Sequence, residues 1–239
     1  MNWQTSLWED REGLSRAAAA ELARIAKAAV ASRGRFDLGL AGGHTPQGMY
    51  EILAAEYRDK IDWSRTHLFW GDERYVSGED SLSNYRMARE SLIDPLGIPP
   101  ENVHPLPTTF ADPGDAAREY EQTLRAHFGM EGPRFDLLLL GIGPEGHTAS
   151  LFPGSPALAE NERWVVPVRV QAQPPLRLTL TLPAINAARA VFFLAAGADK
   201  RPILSKLLNL GPDGSAEYPA SLVRPQGSVT LFLDRAARP

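Results

Sequence analysis

The chain has 239 residues, contains no cysteine and carries a formal net charge of −4. The lack of cysteine excludes disulfide bonds, thiol nucleophiles and cysteine-ligated zinc or iron–sulfur sites. Because the basic residues are scattered rather than clustered, no nucleic acid is expected as a partner.

The amino-terminal segment and the apolar stretches bear on where the protein works. Residues 1–10 are polar and acidic, unlike a secretory signal. No apolar stretch approaches the roughly 20 residues that a membrane span needs. These features predict a cytoplasmic protein with no membrane partner, built as a single domain over residues 1–239. We expect a monomer or a weak homo-oligomer.

Predicted helices and strands alternate along the chain. The spacing of apolar residues predicts helices over 14–30, 47–55, 84–92, 115–128 and 202–210. It predicts strands over 36–41, 67–70, 135–140, 164–170, 177–182, 191–195 and 229–233. Four consecutive leucines at 137–140 indicate a strand buried on both faces, as in a parallel sheet.

This alternation predicts the fold class. It is typical of an α/β fold with a doubly wound, mostly parallel Rossmann-like sheet and helices on both faces. The proline-rich segment 153–175 is expected to be an extended excursion from that sheet.

Three of the predicted strands end in glycine-rich or polar turns, after Leu40, Trp70 and Leu140. In open α/β sheets, ligands bind beyond the carboxyl ends of the strands. If these strands are neighbours, the three turns meet at one pocket, which is the predicted site.

The first turn contains Gly42, Gly43, His44 and Thr45, and Pro46 follows in the first turn of a helix. Glycines let the backbone approach a ligand, and free N–H groups at a helix start favour an anion. A tight strand-to-helix turn with no ligand fits the same residues. The turn matches neither common nucleotide-binding glycine pattern, so it gives little support to nucleotide binding.

The second turn contains Asp72, Glu73 and Arg74 after Gly71. Asp72 could orient a catalytic histidine or act as an acid or base, and the Arg74 guanidinium suits a phosphate or carboxylate. The alternative is a solvated turn with local ion pairs.

The third turn, residues 141–150, places His147 in a glycine-rich loop after the leucine strand. An imidazole titrates near neutral pH, which suits general-base work on water. Glu145 could pair with the imidazole or with a substrate hydroxyl. A purely structural histidine is the alternative. Ser150 lacks the surrounding pattern of a nucleophile elbow, which argues against a serine hydrolase.

Two further cations and three further histidines lie outside these turns. Lys200 lies at a helix start, where it could meet a phosphate, and Arg177 opens a strand; a surface position is the alternative for both. His67, His104 and His127 are expected to be structural or solvated. No H-x-x-x-H or carboxylate-rich pattern is present, so we predict no metal and no cofactor.

Together these segments resemble the 6-phosphogluconolactonase family of the pentose phosphate pathway. The matching stretches are AGGHTP at 41–46, FWGDERY at 69–75, SN at 83–84, GIGPEGHTASLFP at 141–153, RLTLTLPAIN at 177–186 and GADK at 197–200. The resemblance implies a fold shared with glucosamine-6-phosphate deaminases. It also implies hydrolysis of a small-molecule sugar-phosphate lactone to 6-phosphogluconate.

The resemblance also implies roles for individual residues. His147 would be the catalytic base, with Asp72 and Arg74 nearby. The phosphate or the sugar acid would contact the residues Gly42, Gly43, His44, Thr45, Arg74, Arg177 and Lys200. The chain departs from the family pattern at His44, where serine is common, and at Glu145, where aspartate is frequent. Residues 171–175 also lack a lysine that often precedes the prolines.

Two rival functions are weighed against this one. The related deaminases carry a glutamate a few residues after the motif histidine, whereas residues 147–153 contain no carboxylate. A non-catalytic sugar-phosphate sensor usually has an added helix-turn-helix, for which we expect no segment here. Both observations favour lactone hydrolysis.

Overall fold

Within residues 3–239, which the computed structural model describes, six parallel strands form the main sheet in the order β1-β9-β8-β5-β2-β3. These strands are β1 (Trp3–Trp8), β2 (Phe36–Leu40), β3 (Thr66–Trp70), β5 (Leu137–Leu140), β8 (Ala190–Ala195) and β9 (Ser228–Asp234). Every pairing between neighbours in this sheet is parallel. The prediction of a doubly wound, mostly parallel α/β fold is confirmed.

Helices connect these strands. They are α1 (Arg11–Arg33), α2 (His44–Glu56), α3 (Asn84–Ala88), α4 (Asp94–Leu96), α5 (Pro113–Phe128), α6 (Leu182–Asn186) and α7 (Arg201–Leu208). The Asp10 side chain caps α1 by accepting the Gly13 N–H at 2.8 Å, and α1 ends at the left-handed Gly34. Among the described residues, no helix is both long and apolar enough to cross a bilayer.

A second, antiparallel sheet has the order β4-β7-β6, formed by β4 (Asp72–Arg74), β7 (Leu176–Leu180) and β6 (Val165–Arg169). The strands predicted over 164–170 and 177–182 lie in this sheet rather than in the main one. The predicted turn 72–74 is itself a strand. The Gly71 N–H donates to Leu40 and the Gly71 carbonyl accepts from Leu180, so Gly71 links the two sheets.

The strand order explains where a ligand can bind. β2 lies between β5 and β3, so the chain runs to one side of β2 and later returns on its other side. Such a switch point opens a crevice past the carboxyl ends of the strands. β1, which was not predicted from the sequence, lies at the sheet edge, and four of its six residues are exposed.

Candidate active site

The turns that follow β2, β3 and β5 meet at one cavity of about 410 Å³. The expected convergence is therefore present, because these three strands are neighbours in the sheet. The cavity is lined by nine of the residues singled out in the sequence: Gly42, Gly43, His44, Thr45, Asp72, Arg74, His147, Arg177 and Lys200. Glu145 does not line it but lies beside His147.

The turn after β2 presents the start of α2 to the cavity. Gly43 stands at the cap position with φ +105°, and no side chain caps the helix. Gly42 packs so closely on Asn84 that a Cβ there would lie 1.9 Å from Asn84 Oδ1. The first N–H groups of α2 therefore face the cavity without a side-chain acceptor, which is a favourable place for an anion.

The turn after β5 fixes the imidazole of His147. The Gly143 N–H donates to the His147 carbonyl at 2.9 Å, which closes the turn. The ring lies directly on Gly143, where a Cβ would come within 2.0 Å of Nδ1. Its other neighbour is Phe152, whose ring stacks on it with centroids 4.0 Å apart and planes 18° apart. A side chain larger than hydrogen at position 143 would displace this ring.

The environment of His147 favours its neutral form. Burial lowers the pKa of His147 below its usual value, and the Arg177 charge acts in the same direction. The carboxylates of Glu145 and Asp72 oppose this shift. Glu145 Oε2 lies 3.1 Å from Nδ1, but the pair lacks hydrogen-bond geometry. We therefore treat the contact as electrostatic. A neutral imidazole can accept a proton at neutral pH.

Asp72 lies in β4 and is buried, with its carboxylate held by Ser150. The Ser150 hydroxyl donates to Asp72 Oδ2 at 2.6 Å, and the Ser150 N–H donates to Thr179 Oγ1 at 3.2 Å. Ser150 is fully buried and does not line the cavity. The burial of Ser150 and its hydrogen bond to Asp72 therefore agree with the sequence argument against a serine nucleophile.

Two guanidinium groups meet on neighbouring strands, because Arg74 in β4 is directly opposite Arg177 in β7. Arg177 is 7% exposed, and its burial lowers the pKa of the guanidinium. Arg74 donates to the Leu82 carbonyl at 2.8 Å and to Asn84 Oδ1 at 2.7 Å. Within residues 3–239, neither arginine has a carboxylate oxygen within 4.0 Å. Two unneutralised cations on one wall favour an anionic ligand.

Glu73 joins this wall to the start of α3. It is 2% exposed, and burial raises the pKa of its carboxyl group to about 7. Its oxygens accept the N–H groups of Asn84 and Tyr85, both at 2.7 Å, and the Ser83 hydroxyl at 3.2 Å. The alternative of a solvated turn at 72–74 is therefore wrong, because the carboxylates of Asp72 and Glu73 are buried and hydrogen-bonded, Asp72 by Ser150 and Glu73 by residues 83–85.

Asn84 is a site residue whose contacts the sequence reading did not predict. Its Nδ2 donates to the Asp72 carbonyl at 2.9 Å while its Oδ1 accepts from Arg74. The SN pair at 83–84 is one of the stretches that resemble the family, but it did not indicate these contacts. Ser83 caps α3 by accepting the Arg86 N–H at 3.1 Å.

The far wall of the cavity carries further charge. Lys200, 24% exposed, lies 3.4 Å from the Asp199 carboxylate, and both residues line the cavity. Arg11, at the start of α1, also lines it and was not predicted. No local motif marks Arg11, so only the folded chain reveals it.

The three remaining histidines lie close together. His67, His104 and His127 are predicted to be structural or solvated, and all three are partly buried. In the part of the chain that the structure describes, they form the one group of three or more imidazole or carboxylate ligands that could share a metal ion. None of the three lines the cavity.

The sequence matches the family described as glucosamine-6-phosphate isomerases/6-phosphogluconolactonase over residues 9–232. It is 45% identical over 227 residues to a 6-phosphogluconolactonase of Synechocystis sp., covering 94% of this chain and 92% of the relative. It is 41% identical over 244 residues to a 6-phosphogluconolactonase of Mycobacterium leprae, covering 99% and 98% of the two chains.

The fold agrees with these matches. The solved structure of 6-phosphogluconolactonase from Trypanosoma brucei superimposes with a TM-score of 0.86 at 30% identity. The match covers 99% of this chain and 97% of that one. The similarity therefore extends over both sheets and all the turns that form the cavity.

Proposed function

The chain belongs to the family of glucosamine-6-phosphate isomerases and 6-phosphogluconolactonases, as a hydrolase that acts on a sugar lactone, and we propose that it opens the ring ester of 6-phosphogluconolactone with His147 as the base. The observation that carries this mechanism is the partly buried imidazole of His147, whose pKa is lowered by burial, at the wall of a cavity lined by cations. A δ-lactone is an activated ester, so a positioned water, a base and oxyanion stabilisation suffice to open it.

In the first step, His147 takes a proton from water while the water oxygen bonds to C1 of the lactone. This attack converts the carbonyl oxygen to an oxyanion and His147 to an imidazolium. The nearby negative charge of Asp72 stabilises the imidazolium, in line with its effect on the pKa of His147. Ser150 keeps that carboxylate in place through its hydrogen bond.

The oxyanion forms where two positive charges are already fixed. Arg74 and Arg177 are paired across β4 and β7, and Asn84 holds Arg74 in place. Because the burial of Arg177 reduces competition from water, its charge acts more strongly on the transition state than it would on the surface. The same cations suit the carboxylate of the product.

In the second step, the oxyanion collapses and the bond between C1 and the ring oxygen breaks. The imidazolium of His147 returns its proton to the ring oxygen, which becomes a hydroxyl group. The new carboxylic acid then loses its proton to solvent. His147 ends the cycle neutral, so each turnover restores the starting form of the enzyme.

The phosphate group is proposed to lie at the start of α2, next to Lys200. The uncapped N–H groups of that helix and the ammonium group of Lys200 both face the cavity. Anchoring at this remote end would hold C1 against His147, which lowers the entropic part of the barrier. The bulk of His44 is accommodated because the backbone of this turn, not its side chain, binds the anion.

No step requires a metal ion. Within residues 3–239, the donors that could share an ion lie at His67, His104 and His127, outside the cavity. We therefore expect a chelator to leave kcat unchanged.

The function is tested by offering the enzyme two substrates, 6-phosphogluconolactone and glucosamine 6-phosphate. The proposal predicts acid release from the lactone well above its spontaneous hydrolysis, and no ammonia from the amino sugar. Ammonia release alone would assign the chain to the deaminases. Binding of both compounds without turnover would make it a sugar-phosphate sensor.

A further inference from the structure

A cluster of three histidines lies at the end of the main sheet away from the active site. His67 is near the start of β3, His104 follows the 3-10 turn Pro100–Asn102, and His127 is in the last turn of α5. The catalytic cavity lies past the carboxyl ends of β2 and β3, whereas Asp37 and His67 pair near their amino ends. The cluster is therefore separate from the chemistry described above.

The ring nitrogens of the cluster converge. His67 Nδ1 and His104 Nε2 are 3.3 Å apart, and one nitrogen from each of the three rings lies within 4.8 Å of the others. Zinc–imidazole bonds of 2.0–2.1 Å at tetrahedral angles place neighbouring nitrogens about 3.3 Å apart. One pair already has this spacing. All three rings are partly exposed.

A carboxylate lies beside the cluster. Asp37 Oδ1 is 2.7 Å from His127 Nε2, and Arg35 Nε is 3.0 Å from the other carboxylate oxygen, Oδ2. A carboxylate bound to an imidazole is the common outer partner of histidine ligands.

Aromatic packing explains part of this arrangement but not all of it. Phe69 stacks on His104 with centroids 4.6 Å apart, and Phe128 meets the His127 ring at 4.8 Å. These contacts explain how the faces of the His104 and His127 rings are packed. They do not require ring nitrogens from three separate segments to lie within 4.8 Å of one another.

We propose that His67, His104 and His127 bind a divalent transition-metal ion, Zn²⁺ in the first instance, at a structural site remote from the catalytic cavity. Three imidazoles leave a fourth position for water, and imidazole nitrogen suits Zn²⁺. The ion would cross-link β3, the segment after Val103 and the end of α5. Its effect is therefore on stability rather than on turnover.

The test uses the full chain after treatment with a chelator. Calorimetric titration with ZnCl₂ is expected to show one equivalent bound, and Co²⁺ is expected to give the visible spectrum of a tetrahedral nitrogen-containing site. At a free Zn²⁺ concentration about 100-fold above Kd, Tm should rise by about 5–10 °C. No saturable binding to the wild-type chain would overturn the proposal whatever the variants do.

Variants then locate the site. His104→Ala is expected to weaken Zn²⁺ binding at least about 100-fold and to abolish the rise in Tm. His147→Ala, which removes a histidine from the catalytic cavity, should bind Zn²⁺ as the wild type does. His127→Gln provides a second removal, with circular dichroism of the metal-free chains to show that they fold. Loss of binding in His147→Ala, with His104→Ala and His127→Gln unaffected, would place the ion in the cavity and refute the proposal.

Discussion

The hydroxyl of Ser150 donates a 2.6 Å hydrogen bond to Asp72 Oδ2, and both side chains are buried. This contact links the turn after β5 to the first residue of β4. Ser150 therefore positions Asp72, because its one hydroxyl proton is donated to this carboxylate rather than to a histidine. Glu145, not Asp72, is the acid in contact with the His147 ring.

Ser150→Ala distinguishes these roles. The variant loses one hydrogen bond to a buried carboxylate, so we expect the free energy of unfolding to fall by about 1–3 kcal/mol. We expect kcat for lactone hydrolysis to fall by no more than about tenfold, because Asp72 keeps its place in β4. Loss of a true serine nucleophile lowers kcat on the order of 10⁶-fold. A loss of that size in a folded variant would show that Ser150 attacks the substrate.

Gly143→Ala tests the position of the His147 ring. A methyl group there would lie 2.0 Å from Nδ1, so the imidazole must move. We expect kcat to fall by about 10–10²-fold, since small misplacements of a catalytic group are costly. Gly211→Ala is the matched control, because a Cβ at that position meets nothing within 4 Å. Equal kcat values for the two variants would contradict the proposed placement of the ring.

The acid side of the pH profile should report His147. Protonation of His147 removes the base, so kcat/KM falls as pH drops through its pKa. Because burial lowers that pKa, the midpoint should lie below 6.5. Glu145 opposes the shift, so Glu145→Gln should move the midpoint down by about 0.2–0.7 pH unit. The profile is measured as kcat/KM against pH for both proteins; a midpoint that moves upward would contradict the assignment.

Lys200→Ala should act mainly on substrate binding. The variant removes a cation from the proposed phosphate end and leaves the Asp199 carboxylate without its partner 3.4 Å away. We expect KM to rise about tenfold or more while kcat changes little. Lys60→Ala, on the protein surface beside Tyr57, is the control. An unchanged KM in Lys200→Ala would refute the phosphate role.

Much of the fold follows from local patterns. The leucine run of β5 and the apolar spacing of α5 each predicted an element within two residues of its observed bounds. The convergence of three turns followed from the rule for parallel sheets, once their strands proved to be neighbours. The second sheet was harder to foresee. Residues 72–74 form a three-residue strand, too short to show a period, and pair with β7 about a hundred positions later.

The candidate site could be predicted from the sequence where its polar side chains lie together in one turn, as they do around His147. It was not predictable where contacts join distant segments. Asn84 contacts Gly42, Asp72 and Arg74, which lie in other turns, so its place in the site is seen only in the folded chain. The histidine cluster likewise has members separated by tens of residues. A sequence search for local ligand spacing has no means of finding it.

The most direct test of the mechanism is the kcat of His147→Ala for 6-phosphogluconolactone, measured above the spontaneous rate with the fold checked by circular dichroism. The proposed general base predicts that kcat falls by about 10²–10⁴-fold while the fold remains intact. Turnover close to that of the wild type would show that His147 does not activate the water, and would contradict the mechanism.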